Sequence, residues 1–258
     1  GPLFLPGDPG NLNPTYFTEY PEDIRMFGAS FEKKWRGGVV LGELTYRPNQ
    51  PLQYNSYDVI SAAVSRTAPT PLRDQADALA PGATLRAWES HKALQLQLGV
   101  TGALPKVLGS AGMSYGAELV YKLVPDLPWV SVTRFGRAEV FGQGPVNGVC
   151  PPPADPVSCS SDGYVSQEAY GYRLRAGLKY PKVIGELDLI PSLVFGHDVW
   201  GWSGDQMLVE GRMFAAVSLQ AAFAGKWSAA ISWNPTWGGT YNSMRDRSTA
   251  QAYVSYQF

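Results

Sequence analysis

A chain of 258 residues with 21 basic and 22 acidic side chains is nearly neutral, which argues against nucleic acid as a partner. Aromatic residues reach 12% while charged ones fall to 17%, with 8 Trp and 14 Tyr, a mix that suits a barrel with aromatic girdles. No run of about 18 apolar residues exists, so a transmembrane helix is excluded, and the mean hydropathy of −0.15 fits strands that are apolar on one side only.

The chain opens on Gly1-Pro2-Leu3-Phe4 without a basic-then-apolar secretion signal, so a mature or partial form is expected. Nine segments then alternate with a period of two, the mark of a strand with one apolar face. They are Ile24 to Trp35, Gly38 to Arg47, Ala93 to Ala103, Met113 to Leu123 and Ala169 to Tyr180, then Val183 to Phe195, Met213 to Phe223, Trp227 to Trp233 and the C-terminus. In the last, Ala250, Ala252, Val254, Tyr256 and Phe258 share one side and Gln251, Tyr253, Ser255 and Gln257 the other. Bacterial outer-membrane barrels characteristically end on such an aromatic strand, so Tyr256 and Phe258 are candidate assembly signals.

The connections alternate in length. Arg36-Gly37, Leu104 to Ser110, Pro181-Lys182 and Ala224 to Lys226 are short, while Pro48 to Lys92, Pro125 to Glu168, Gly196 to Arg212 and Asn234 to Thr249 are long. Short inner turns and long outer loops are the habit of outer-membrane barrels. A short helix is expected over Asp58 to Ser65, and irregular chain over the Pro-dense stretch Pro145 to Cys159. Cys150 and Cys159 are expected to be bridged to one another in an oxidising compartment. Counting from an inward-running last strand, the first of nine also runs inward. Single-chain bacterial barrels usually have an even count. A further strand is therefore expected upstream, from another chain, or from Tyr16 to Tyr20.

The expected fold class is all-β, an antiparallel transmembrane β-barrel with about nine strands visible, part of a larger even-stranded barrel. Several ordered motifs bear on this. Tyr16-Phe17-Thr18-Glu19-Tyr20-Pro21-Glu22-Asp23-Ile24-Arg25 precedes Gly42-Glu43-Leu44-Thr45-Tyr46-Arg47-Pro48-Asn49-Gln50-Pro51-Leu52. Ala169-Tyr170-Gly171-Tyr172-Arg173-Leu174-Arg175, His197-Asp198-Val199, Val209-Glu210-Gly211-Arg212 and Asn242-Ser243-Met244-Arg245-Asp246-Arg247 follow. Together they resemble a proteobacterial outer-membrane family known as domain of unknown function 1302, over nearly the whole chain. Ser248 stands where the pattern usually has an Asp or a similar small polar residue before Phe. The resemblance implies the C-terminal half of a longer barrel similar to long-chain fatty-acid transporters. It also implies a link with lipid, steroid and other hydrophobic compounds and with export pumps, and it brings no catalytic motif.

Candidate site residues fall into groups. Arg173 and Arg175, with Glu186 and Asp188 across a hairpin turn at Pro181, are expected to point into the lumen side by side, joined by Glu118 and Lys122. Glu32 and Glu43 are further candidates for the same side. They form either a selectivity-setting constriction or an ion-pair network that fills a wet interior. An outer rim is expected from His197, Asp198, Trp200, Trp202, Trp233 and Trp237, with Arg245, Asp246 and Arg247 in the last outer loop. His91 and His197 are the only histidines, and neither a nucleophile motif nor metal-ligand spacing accompanies them, so no catalytic residue, metal or cofactor is expected. The expected partners are outer-membrane lipid and lipopolysaccharide, the barrel-assembly machinery, and the missing N-terminal part of the barrel or another chain. The function expected is passage of small hydrophobic or amphipathic molecules through the outer membrane. The alternatives are a diffusion pore for polar solutes and a partner-binding barrel of an export system.

Overall fold

A computed structural model describes residues 13–80, 82–150 and 155–258. The backbone forms one antiparallel sheet. Its strands are β1 (Phe27–Trp35), β2 (Gly38–Gln53), β3 (Trp88–Pro105), β4 (Gly112–Leu123), β5 (Glu168–Ile184), β6 (Leu187–Trp200), β7 (Arg212–Phe223), β8 (Trp227–Asn234), β9 (Thr236–Gly238) and β10 (Thr249–Tyr256). Neighbours follow chain order, except that β10 pairs with β8 while the three-residue β9 pairs with β7. All nine expected segments are strands, and β9 is an addition. The sheet is not closed: β1 and β10 are its edges. Residues 13–26 contain no strand, so Tyr16 to Tyr20 does not supply an extra one.

Local chemistry explains the departures in length. β2 continues through Pro48 and Pro51 because its register shifts between Arg47 and Gln50, and such a bulge tolerates residues without an N–H. The β5–β6 turn lies at Gly185-Glu186, not at Pro181-Lys182. Lys182 does adopt a left-handed φ of 52°, but its amide donates to Asp188 Oδ1 at 2.9 Å, so the irregularity is a bulge within the hairpin. Gly185, with φ 60°, makes the turn. The β1–β2 hairpin turns at Arg36-Gly37 as expected, both with positive φ.

The register sorts side chains onto two faces. One carries Phe31, Leu44, Leu98, Leu119, Leu174, Leu193, Leu219, Ile231 and Val254 on successive strands. All nine are exposed, from Leu98 at 39% to Val254 at 70%, and no loop covers them. The other face carries Glu43, Gln97, Thr101, Glu118, Arg173, Arg175, Ser192, Ser218 and Gln220, and the long loops fold over its outer part. We call these the bare face and the loop-covered face. No helix among the described residues is long and apolar enough to cross a membrane, which leaves β-strand spans open.

The core lies under the loops, not within the sheet. Leu52, Tyr54, Ala62, Leu72, Phe135 and Val165 form its main cluster. They bring the end of β2, the helices α1 (Ser56–Val64) and α2 (Arg73–Asp77), and the β4–β5 loop into one cap. The helix expected near Asp58 is α1, and Asn55 caps it by accepting the Asp58 amide at 3.3 Å. Cys150 and Cys159 are bridged as expected, with Cα atoms 5.4 Å apart, and residues 151–154 of the irregular stretch lie outside the described residues.

Candidate functional site

The chemistry on the loop-covered face gathers around Asp198, whose side chain is wholly buried at the outer end of β6. Arg173 of β5 and Arg212 of β7 both close on its carboxylate. Arg212 Nε donates at 2.6 Å and the Val209 amide at 3.1 Å. Arg173 reaches Asp198 because Gly196 leaves room, since a Cβ there would strike both the Arg173 chain and the Phe214 ring. The Arg173 guanidinium lies 4.7 Å from the centre of that ring. A single buried anion is thereby satisfied by two cations and an amide.

The β6–β7 loop, residues 201–211, folds back along this face. Leu208 is buried against Val120 and Ala169. Lys122 of β4 forms an ion pair with Asp205, and the Ser203 hydroxyl donates to Asp205 at 2.6 Å while accepting the Leu208 amide at 2.9 Å. Burial alone would raise the Asp205 carboxyl, but hydrogen bonds from Lys122 and Ser203 and the Lys122 charge hold it below the usual carboxylate range.

The expected lumen set divides. Arg173, Arg175, Glu118 and Lys122 share the loop-covered face, and Glu118 sits in register with Arg173. Asp188 shares that face by register but lies near the turn, away from both arginines, and Glu186 does not join them. Glu186 occupies the turn, while Asp188 accepts the Lys182 amide and lies 3.8 Å from the Lys179 ammonium. The side-by-side arrangement fails because the turn falls at residues 185–186, which places Val194 and Gly196 opposite the two arginines. Among the described residues, Arg175 and Glu118 have no ion-pair or side-chain hydrogen-bond partner. Arg175 lies flat over Gly116, where a Cβ would meet its Nε at 2.4 Å. The same face carries a hollow of about 320 Å³ whose lining includes Ala103, Gly112, Ser114, Gly177, Lys179 and Ile190.

The rim residues also divide. His197 and Asp198 are adjacent but face opposite ways, with His197 on the bare face, edge-on to Tyr172. Trp200, Trp233 and Trp237 are exposed at the outer strand ends, with Trp237 6.3 Å from Phe195. Trp202 instead packs inside the cap, edge-on to Tyr241. Arg245, Asp246 and Arg247 are exposed in the loop before β10. At the other end of the sheet Tyr256 packs between Trp227 and Phe258, with ring centres 4.7 and 5.3 Å away.

Sequence reading missed the polar framework of the cap. Arg134 and Asp58 form a buried two-point pair, with Nε to Oδ2 at 2.8 Å. Arg137 donates to the carbonyls of Phe141, Val157, Ser158, Ser160 and Asp162, and its guanidinium lies between the rings of Tyr164 and Tyr241. Burial pushes the Tyr164 phenol up against the opposing pull of Arg134 and Arg137. Tyr54 is pushed up to about 12 by burial and by Glu89, to which it donates. These residues lie far apart along Gly- and Pro-rich loops, where no periodicity marks them.

The model of the family described as protein of unknown function (DUF1302) matches residues 4–258. The chain belongs to this family. No curated protein and no solved structure matches it. In this DUF1302 member the two faces of the sheet differ in chemistry, and the long loops lie on one of them.

Proposed function

We propose that this chain forms part of the wall of an outer-membrane β-barrel that passes small amphipathic molecules. The observation that carries the reading is the asymmetry of the sheet. The bare face offers exposed Leu, Phe, Ile, Val and Trp side chains from β1 to β10, more apolar surface than a soluble protein leaves in water. The loop-covered face offers Arg175 and Glu118, which have no ion-pair partner among the described residues, beside the paired charges at Asp198 and Asp205. A bilayer around the first and a water-filled lumen along the second satisfy both.

Closure of the barrel follows from strand direction. β1 and β10 end a nine-strand antiparallel path, so they run the same way. An antiparallel seam on both edges requires an odd number of further strands, from elsewhere in the polypeptide or from another chain. Lipopolysaccharide is the proposed neighbour of Arg245 and Arg247, and the barrel-assembly machinery the reader of the Tyr256–Phe258 end. The reading assigns no catalytic step and no cofactor.

The substrate class rests on Arg175. A guanidinium without an ion-pair partner among the described residues, on the same face as a hollow lined by Ala103, Gly112, Ser114, Gly177, Lys179 and Ile190, suits an anionic head with a compact apolar body. The test is uptake into proteoliposomes of a labelled long-chain carboxylate beside an uncharged sugar, with conductance recorded in parallel. Faster uptake of the carboxylate, reduced by Arg175→Gln, supports the reading. A pore for polar solutes is favoured by the Glu43, Gln95 and Gln97 wall, and large conductance without carboxylate uptake would establish that instead.

A further inference from the structure

We propose that the β6–β7 loop is a fixed constriction that selects what passes along the loop-covered face, and that Asp198 is its positioning residue. The inference rests on the barrel reading and names the element that controls permeation within it.

Loops that serve only as connections run over the surface, more mobile than the elements they join. This one is held down along its whole length. Leu208 is 2% exposed on Val120 and Ala169, and its Cδ2 would lie 3.1 Å from a Cβ at Gly171. Those three positions are adjacent on β4 and β5, so a small-residue seat in the sheet receives the loop. The Gly201 amide donates to Glu210 at 2.8 Å and the Trp202 amide to Ser166 at 2.9 Å, closing the base. Arg212 Nη2 donates to the Met207 carbonyl at 2.6 Å. Gln206, with φ 58°, makes the tip.

Asp198 joins these anchors. Its carboxylate takes the Val209 amide from the loop, Arg212 from the loop's end and Arg173 from β5. Its own carbonyl accepts the Gly211 amide at 2.8 Å. Removing its charge leaves two arginines facing one another and frees the returning arm of the loop.

The tip presents chemistry to the space beyond it. Asp205 pairs with Lys122, and Met207 is 53% exposed with its sulfur 3.5 Å from the same ammonium. In register with Lys122 and Val120 stand Gln95 and Gln97 of β3, and Glu43 of β2 lies beyond Gln97. A solute moving along this face passes between a thioether and ion pair on one side and amides and a carboxylate on the other. That pairing of apolar and polar walls selects for an amphipathic solute.

The experiment compares the closed barrel, this chain together with the further strands that complete it, and its Asp198→Asn variant in lipid bilayers by conductance and reversal potential. Hydrogen exchange of the Val209 and Leu208 amides is followed on the same samples. The expected result is about tenfold faster exchange in the loop with strand protection unchanged. Conductance should rise about twofold, with altered ion preference. An oxidised Val120→Cys/Leu208→Cys tether in the Asp198→Asn background should restore the original conductance. A loosened loop with unchanged conductance and reversal potential overturns the inference and leaves the barrel reading standing. Unchanged exchange at Val209 overturns it as well. No conductance or uptake by the unaltered protein overturns the barrel reading itself. If Asp198→Asn does not fold, Lys122→Gln with Asp205→Asn releases the tip without touching the buried carboxylate, and the same outcomes decide.

Discussion

Arg134 and Asp58, 76 residues apart in the chain, meet in a two-point ion pair with their side chains 1% and 2% exposed. Arg134 comes from the β4–β5 loop and Asp58 from α1, so the pair reinforces the backbone bridge between Tyr54 and Phe135 that joins these two long loops. Gln143 adds a third bond to the same carboxylate at 2.9 Å. Breaking a buried pair strands the remaining charge, at about 3–5 kcal/mol. Arg134→Met should therefore open the cap, leaving Asp58 buried and unpaired. Arg134→Met with Asp58→Leu should recover much of the loss. Limited proteolysis of residues 125–167 in the folded protein would read both, and equal cleavage of the single and double variants would contradict the account.

The Asp205–Lys122 contact has a defined pH window. The folded-state carboxyl is depressed below its ordinary 3.8, so its contribution is complete above that value and is lost as pH falls through the lower folded value. The loop tip should stay anchored from neutral pH to near pH 4 and loosen below. A nitroxide at Met207→Cys should become mobile only in that acid range. Loosening near pH 6 would show that some other group controls it.

Cys150 and Cys159 close a short loop, so their bridge stabilises by about 3 kcal/mol at most. Reduction should leave the sheet intact and affect only the neighbourhood of Arg137, whose acceptors Val157 and Ser158 lie inside that loop. Circular dichroism before and after reductant checks this, with an unchanged strand signal as the expected outcome.

Phe258 is fully exposed at the end of the sheet, so its removal should cost little in folding. Its deletion should leave detergent refolding near normal while cellular insertion falls and protein collects in the periplasm. Normal insertion of the deletion variant would count against its role in assembly.

Much of the fold was legible because a two-residue period survives any register. Leu94, Leu96, Leu98 and Val100 opposite Gln95, Gln97, Gly99 and Thr101 identify β3 without knowledge of its neighbours. The site was less legible because it depends on register. Alternation puts Arg173 and Arg175 together on one face, yet it does not reveal their partners, since a Pro-Lys pair that looks like a turn forms a bulge. Asp198 read as a rim residue beside His197, although alternation itself sends neighbours to opposite faces. The cap was illegible, since Tyr164 and Arg137 of one loop meet Tyr241 of another only after both loops have folded.

The orientation of the bare face also fixes the cost of charge. Leu219→Arg or Leu189→Arg should destabilise the protein in lipid by about 2–4 kcal/mol if near mid-bilayer, whereas Gln220→Arg on the opposite face should cost far less. Urea titration in lipid vesicles would read the difference. Equal losses would remove the distinction between the faces.

The most direct measurement of the central claim is depth-dependent quenching of a fluorophore placed at Leu219→Cys and, separately, at the adjacent Gln220→Cys, in the full chain reconstituted into vesicles. Brominated acyl chains should quench the label at position 219, and aqueous iodide the label at position 220. Iodide quenching of both labels, or bromolipid quenching of position 220 alone, would contradict that claim.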